Sequence, residues 1–435
     1  MSASVTAPYK GSDKIKFIVF RGLFYNLNFV STLSCLERGT HMQTKVPAVF
    51  MRGGTSRAVF FAEDVMAPYD QPTRERIILA ALGSPDPDGR QIDGLGGGIS
   101  SLSKAAIIGR GTDGISDVTF NFAQVDVKQP FVDWGGTCGN MSAAVGPFAI
   151  DEGLIPAVEP VTQVRVLATN TGKRYIAHVP VRDGLADIEG DYRIDGVPGP
   201  GARIALEYLE PGGTLGGSLL PTGEARQVIS LADGRQVTIS IVDAALPMVY
   251  VRAAELGADA TRLAPDLDRD RALQDTLEEI RCQGAVLLGL ASSVADAHTR
   301  VKAIPKIAMV APPEAYASSS GKSISVEQID VIGRAISMQN THRTFPATSS
   351  MCTAVAAAVE GAVVHEVSQA DAPDRLRLGH PAGIMEVGAK VVRQGSEWFA
   401  QSVTTQRTAR RIMEGSILVP QRYMEGKPWF EADGV

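Results

Sequence analysis

The sequence predicts an α+β fold of two similar halves, each a curved, mostly antiparallel sheet wrapped around a central helix. Two stretches, CGNMSAAVGPFAIDEGLI and SSMCTAVAAAVEGAVV, read as helices with small or apolar residues on nearly every side. A helix of that composition is buried all round rather than laid on a surface. The order of strand-like and helix-like segments around the first is repeated around the second. These two observations carry the prediction.

In chain order, VPAVFMR is a short apolar strand, RGGTS a glycine turn and AVFFAE a second strand. PTRERIILAALGS has apolar residues at helical spacing and a proline near its front, which is a helix start signal. SPDPDGRQ is a loop, and KAAIIG and DVTFNFAQVDV are strands. The first buried helix follows. TQVRVLATNTGKRYIAHVPV then reads as a strand, a turn around Asn170-Thr171-Gly172 and a strand. In the second half QVTISIVDAALPMVYVRA takes the place of the first hairpin. ATRLAPDLDRDRALQDTLEEIRCQG is a long helical run, broken or begun at Pro265. IPKIAMVAPP is a strand and SVEQIDVIGRAIS is read as a helix. The second buried helix precedes LRLGHPAGIMEVGAKVV, again strand, turn, strand. The halves are expected over 42–222 and 223–435, with the C-terminal segment able to pack back on the first half. A site is expected in the cleft between them, where small-molecule sites often lie.

At 435 residues the chain is too long for one ordinary core, and 44% hydrophobic content leaves ample apolar surface to bury. A net charge of −6 with no basic run argues against a general nucleic-acid binder. Residues 1–41 are apolar but interrupted by Arg21, Asn26 and Asn28, a poor membrane span. They read as a dispensable extension or leader, so no membrane partner is expected. Cys35, Cys138, Cys282 and Cys352 are far apart and show no zinc-site spacing. Free thiols point to a reducing compartment, the cytoplasm, and no metal is expected.

Chemistry gathers in Arg90–Asn140. Cys138, in GGTCGN, stands between glycines at a helix start, where unpaired N–H groups and the positive end of the helix dipole favour a thiolate. The N–H groups of Gly139, Asn140 and Met141 can receive a substrate carboxylate there. Lys104 ends a glycine- and serine-rich loop and enters an apolar strand. Desolvation there lowers an amine's pKa and equips it as a base near neutral pH. Three loops read as anion sites. The first holds Gly54, Thr55 and Ser56 with Arg52 and Arg57 beside them. The second holds Ser100, Ser101 and Ser103, and the third Ser318, Ser319, Ser320 and Lys322. The third ends like a P-loop, but Tyr316 stands where that motif needs glycine. His380 lies in the predicted turn GHPAG, a further ligand contact or an ordinary turn residue.

The blocks MRGGTSRAVFF, GSPDPDGRQIDGLGGGISSLSK, PFVDWGGTCGN, APPEAYASSSGK and GHPAG, in this order from about Val46 to Pro420, resemble the PrpF-type isomerases. These include 2-methylaconitate cis–trans isomerase and 4-oxalomesaconate tautomerase. The resemblance implies a diaminopimelate-epimerase-like fold and a cofactor-independent proton shift on a small unsaturated di- or tricarboxylate. It implies Lys104 as the base and Cys138 as its catalytic neighbour. The segments around Asp133-Trp134 and the SSSGK block favour 2-methylaconitate or aconitate, with 4-oxalomesaconate second. The chain departs from the family pattern at Arg57-Ala58, where Lys-Gly is usual, and at Thr137, where asparagine is common. Cys352 lies outside any Cys-Gly pair. Two rival readings are a two-cysteine amino-acid epimerase using Cys138 and Cys352, and a non-catalytic carboxylate-binding protein. A homodimer is compatible with any of them.

Overall fold

The computed structural model describes residues 42–302, 304–337, 340–372 and 374–427. The extension expected over 1–41 lies outside the described residues. The first half holds β1 (Gln43–Gly53), β2 (Ser56–Ala62), α1 (Gln71–Leu82), β3 (Lys104–Arg110), β4 (Val118–Val125), α2 (Gly139–Asp151), β5 (Val161–Ala168), β6 (Lys173–Arg182) and β7 (Ile204–Leu209). The second holds β8 (Gln236–Ala244), β9 (Leu246–Arg252), α3 (Arg271–Leu287), β10 (Lys306–Ala311), β11 (Val331–Ser337), α4 (Ala347–Ala358), β12 (Leu376–His380), β13 (Gly383–Gln394) and β14 (Glu397–Arg407). A last strand, β15 (Ala409–Pro420), follows.

The repeat is exact at the level of strand pairing. From β1 to β7 the successive pairs are antiparallel, parallel, antiparallel, parallel, antiparallel, antiparallel. From β8 to β14 the same series recurs in the same order. The halves join where β7 pairs with β14, and β15 returns to pair with β1.

In each half the second hairpin strand and the strand parallel to it are buried on both faces, whereas β5 and β6 bury only one. In the first half Met51, Phe60, Ala106, Ile108 and Phe120 close around Met141, Val145 and Phe148 of α2. The alternate residues Phe50, Val59, Phe61, Ala105 and Ile107 meet Ile77, Ile78 and Leu82 of α1. The second half does the same, with Ala308 and Val310 on Cys352 and Val355 of α4 and Ile307 and Met309 on Leu273, Leu277 and Ile280 of α3. The period of two along each strand thus sorts one sheet between an inner and an outer helix. α1 starts as its sequence dictates, with Asp70 accepting from the Thr73 N–H at 3.0 Å and a proline in the first turn. α3 is separated from the short helix Ala264–Arg269 by Asp270, whose side chain caps it.

One expectation fails here. SVEQIDVIGRAIS is not a helix. Ser325 and Gln328 form a capping box, but it nucleates only the single turn Val326–Gln328, and Val331–Ser337 is strand β11. Its apolar residues alternate between faces, with Val331 and Ala335 on the α4 side and Ile332 and Ile336 on the α3 side. Among the described residues, no helix is long and apolar enough to cross a membrane.

Candidate active site

Lys104 is the first residue of β3, and the even-numbered residues of that strand face α2. Its side chain is buried, with its amine 5.4 Å from the centre of the Phe122 ring. It donates to Oε1 of Gln124, its cross-strand partner on β4. Gln124 cannot readily turn over, because its Nε2 donates to the Ser103 carbonyl at 2.9 Å and the Ser100 carbonyl at 3.1 Å. Burial lowers the Lys104 pKa below the usual lysine range, and the neighbouring Cys138 offsets part of that shift.

Cys138 is the N-cap of α2, partly exposed, with its sulfur unbridged. Two tyrosines stand behind it. A methyl group at Gly139 would lie 3.4 Å from the Tyr208 hydroxyl, and Tyr175 donates to the Ser142 carbonyl at 3.2 Å. Burial pushes the Tyr208 phenol up to about 12, so it stays protonated beside the thiol. Asn140 closes the head of the helix. Its Nδ2 donates to Thr55 at 3.0 Å and reaches Ser56 at 3.4 Å, while its Oδ1 accepts from Arg407 of β14 at 3.3 Å. The β1–β2 turn fits this helix start closely. A Cβ at Gly53 would come within 2.5 Å of the Asn140 carbonyl, and Gly54 has a φ of +48°. Met141 is wholly buried, so it offers the site only its backbone.

Three predicted contacts, Ser103, Arg57 and Arg52, lie elsewhere. Ser103 precedes Lys104 on the chain and so points to the other face, where Gln91 donates to it at 2.6 Å. That glutamine also donates to Ser84 at 2.8 Å and accepts from the Gly98 N–H at 3.0 Å, clamping the glycine loop. Arg57 also faces α1, its guanidinium 5.4 Å from the centre of the Phe50 ring. Arg52 is engaged with backbone, donating to the Gly54 and Thr408 carbonyls at 3.0 and 2.9 Å. Ser101 is half-buried in the single turn Ser100–Leu102.

The second half contributes its own cluster. Ser318, Ser319, Ser320 and Lys322 form the tip of a small hairpin, with Ser318 buried and the other three exposed. The Ser319 N–H donates to the Pro381 carbonyl at 2.7 Å, which brings this loop against the His380 turn. His380 is not a solvated turn residue. It is buried at the end of β12, and burial and the nearby Arg334 lower its pKa to about 4. Its Nδ1 faces the Ala382 N–H at 3.2 Å, so the ring proton sits on Nε2. The loop after β6 links the two clusters. A methyl at Gly196 would lie 3.4 Å from Thr55, and one at Gly383 would overlap the Asp195 carboxylate.

Gln124, Tyr208, Arg407 and Asp195 were missed by sequence reasoning. A glutamine on the apolar face of a strand was the one available signal among them.

The described residues contain one group of metal-type donors, Glu278, Cys282 and His298, with ligand atoms within 4.8 Å of one another. Arg281 already lies among them, its Nη2 at 2.7 Å from Glu278 and 3.2 Å from Cys282. Burial pushes the Cys282 thiol up to about 12. The acidic charge is matched internally, and the group reads as a lock between α3 and the helix Val294–Arg300.

The family model described as PrpF protein matches residues 43–420. The 2-methyl-aconitate isomerase of Shewanella oneidensis is 39% identical over 389 residues, covering 87% of this chain and 98% of that protein. The 3-methylitaconate isomerase of Eubacterium barkeri is 41% identical over 379 residues, covering 87% of this chain and 98% of its own. A crystal structure of methylitaconate-delta-isomerase superimposes with a TM-score of 0.83 at 39% identity, covering 90% of this chain and all of that one.

Proposed function

The chain belongs to the PrpF protein family, and from that premise we propose that it is a cofactor-independent isomerase of unsaturated tricarboxylates, with 2-methylaconitate the favoured substrate. The observation that carries this reading is the buried Lys104 beside Cys138 at the head of α2. A C–H next to a double bond is acidified by a conjugated carboxylate. Lys104, in its neutral form, removes that proton. The developing charge spreads onto carboxylate oxygens held by the N–H groups opening α2 and by the Thr55 hydroxyl. A proton then returns to the allyl system, and the double bond has moved or inverted.

The test is incubation in D₂O with 2-methylaconitate, cis- and trans-aconitate, 3-methylitaconate and 4-oxalomesaconate, followed by NMR. Solvent deuterium is expected in at least one of these, with 2-methylaconitate first. Folded protein that labels none of them overturns the proposal.

A two-cysteine epimerase would need Cys352, which is fully buried, donates to the Val242 carbonyl at 3.3 Å and has its thiol pushed up to about 12. Cys352→Ala is therefore expected to keep turnover within a few-fold, whereas Cys138→Ala lowers kcat by about 10²-fold or more. Steady-state rates on the same substrate check both.

A further inference from the structure

We propose that Lys306 is the second half's counterpart of Lys104, and that it delivers the proton that Lys104's removal leaves owing. The inference rests on the isomerase reading above and assigns a second lysine to the same site.

β3 is the strand parallel to the second member of the first hairpin, and β10 is the strand parallel to the second member of the other. Lys104 opens β3 and Lys306 opens β10. Side-chain phase agrees as well. Residues 106 and 108 face the inner helix α2, and residues 308 and 310 face the inner helix α4. Counting back by two puts both lysines on the inner face, at the same corner of their sheets. An apolar strand beginning with lysine is an unremarkable feature once; at equivalent positions of a repeat, each turned to the inner helix of its own half, it is a second observation.

The surroundings fit a working group. Lys306 is half-buried and, among the described residues, has no carboxylate partner. Where Lys104 has a thiol beside it, Lys306 has an imidazole. The Lys306 charge helps burial hold His342 below the usual histidine range, and His342 in turn acts on His380. The His342 N–H donates to the carbonyl of Ala335, which pairs with Ala308, two residues on from Lys306, and the Pro381 turn beside His380 meets Ser319. The Asp195–Gly196 loop connects that turn to Thr55 and the head of α2. Burial also lowers the Lys306 pKa, which eases release of its proton.

The step balances. The C–H electron pair enters the allyl-carboxylate system as the neutral Lys104 amine becomes an ammonium. The Lys306 ammonium then gives a proton to the far carbon, where a new C–H bond forms, and Lys306 is left neutral. Proton exchange with water resets both lysines before the next turnover.

The experiment compares wild type with Lys306→Met and Lys306→Gln on the substrate that wild type isomerises in D₂O. Removing the donor should lower isomerisation about 10²–10⁴-fold while Lys104 still exchanges the abstracted hydrogen with solvent. Retained exchange also shows that the variant is folded. A wild-type isomerisation rate in either variant overturns the proposal, and so does loss of exchange together with isomerisation. One measurement needs no variant. Substrate deuterated at the abstracted position is turned over once by wild type in H₂O. A two-lysine transfer leaves no label at the far carbon, whereas label carried there means one group moves the proton and overturns the assignment. Absence of any exchange by wild type is a different result, which sinks the isomerase reading itself.

Discussion

Lys104→Met is expected to lower kcat by about 10²–10⁴-fold and to abolish solvent deuterium incorporation, with the fold intact. Methionine matches the length and apolar stem of lysine, so the space under Phe122 stays filled, while no atom remains that can take a proton. The sign of the stability change separates this from simple damage. Burial depresses the Lys104 pKa, so between the folded and unfolded values the unfolded chain binds the proton more tightly. Burying the amine therefore costs stability at neutral pH, a cost that fades as pH rises past the ordinary lysine range. Removing the amine should leave the unfolding midpoint unchanged or raised. A variant that is inactive and clearly less stable would contradict the argument. The same shift sets the pH profile of wild type. The base form is populated above the lowered pKa, so kcat/KM should climb with pH along a limb that lies below the usual lysine range. A rate that instead falls across that limb would mean the charged form is the active one.

Much of this arrangement was legible in the chain because period and composition are local properties. The small-residue helices α2 and α4 announce burial, and the repeated order of strands follows from it. Lys104 and Cys138 stand out because a charged or reactive residue at the edge of an apolar or glycine-rich run has few ordinary reasons to be there. The misses have physical causes too. SVEQIDVIGRAIS was read as helix although the alternation that decides for strand is present, because that alternation is only a few residues long. Ser103 was assigned to the substrate beside Lys104, whereas its hydroxyl is taken by Gln91. The parallel between LSKAAII and IPKIAMV, each an apolar strand opened by lysine, was visible in the chain itself. Arg407 and Asn140 lie 267 positions apart, and Gln124 acts through a register across β3 and β4. No window on the sequence shows such pairs, because pairing is chosen by the whole sheet.

Arg334→Met is expected to cost about 3–5 kcal/mol of stability, the largest structural effect among substitutions remote from Lys104. Arg334 is fully buried on β11, yet four carbonyls surround it. It donates to Arg262 at 3.0 Å, Gly333 at 2.9 Å, Gly379 at 3.3 Å and Thr261 at 3.4 Å. Burial brings its pKa down only to about 10, so it remains charged at neutral pH. Its guanidinium also lies 5.0 Å from the centre of the Tyr316 ring, and the Tyr316 hydroxyl bonds the His380 and Gly383 carbonyls at 2.8 Å each. Methionine would fill the volume but leave these carbonyls without a donor, and each orphaned group costs about 1–3 kcal/mol. Urea denaturation should show a lower midpoint with an unchanged slope. The functional consequence follows from position. Arg334 and Tyr316 hold the turn between β12 and β13, on which His380 and the Ser319 contact depend. KM is therefore expected to rise more than kcat falls, the reverse of the Lys104 pattern. An Arg334→Met protein with wild-type stability would show that the carbonyls find other partners, and would remove the basis for treating that turn as a rigid wall of the site.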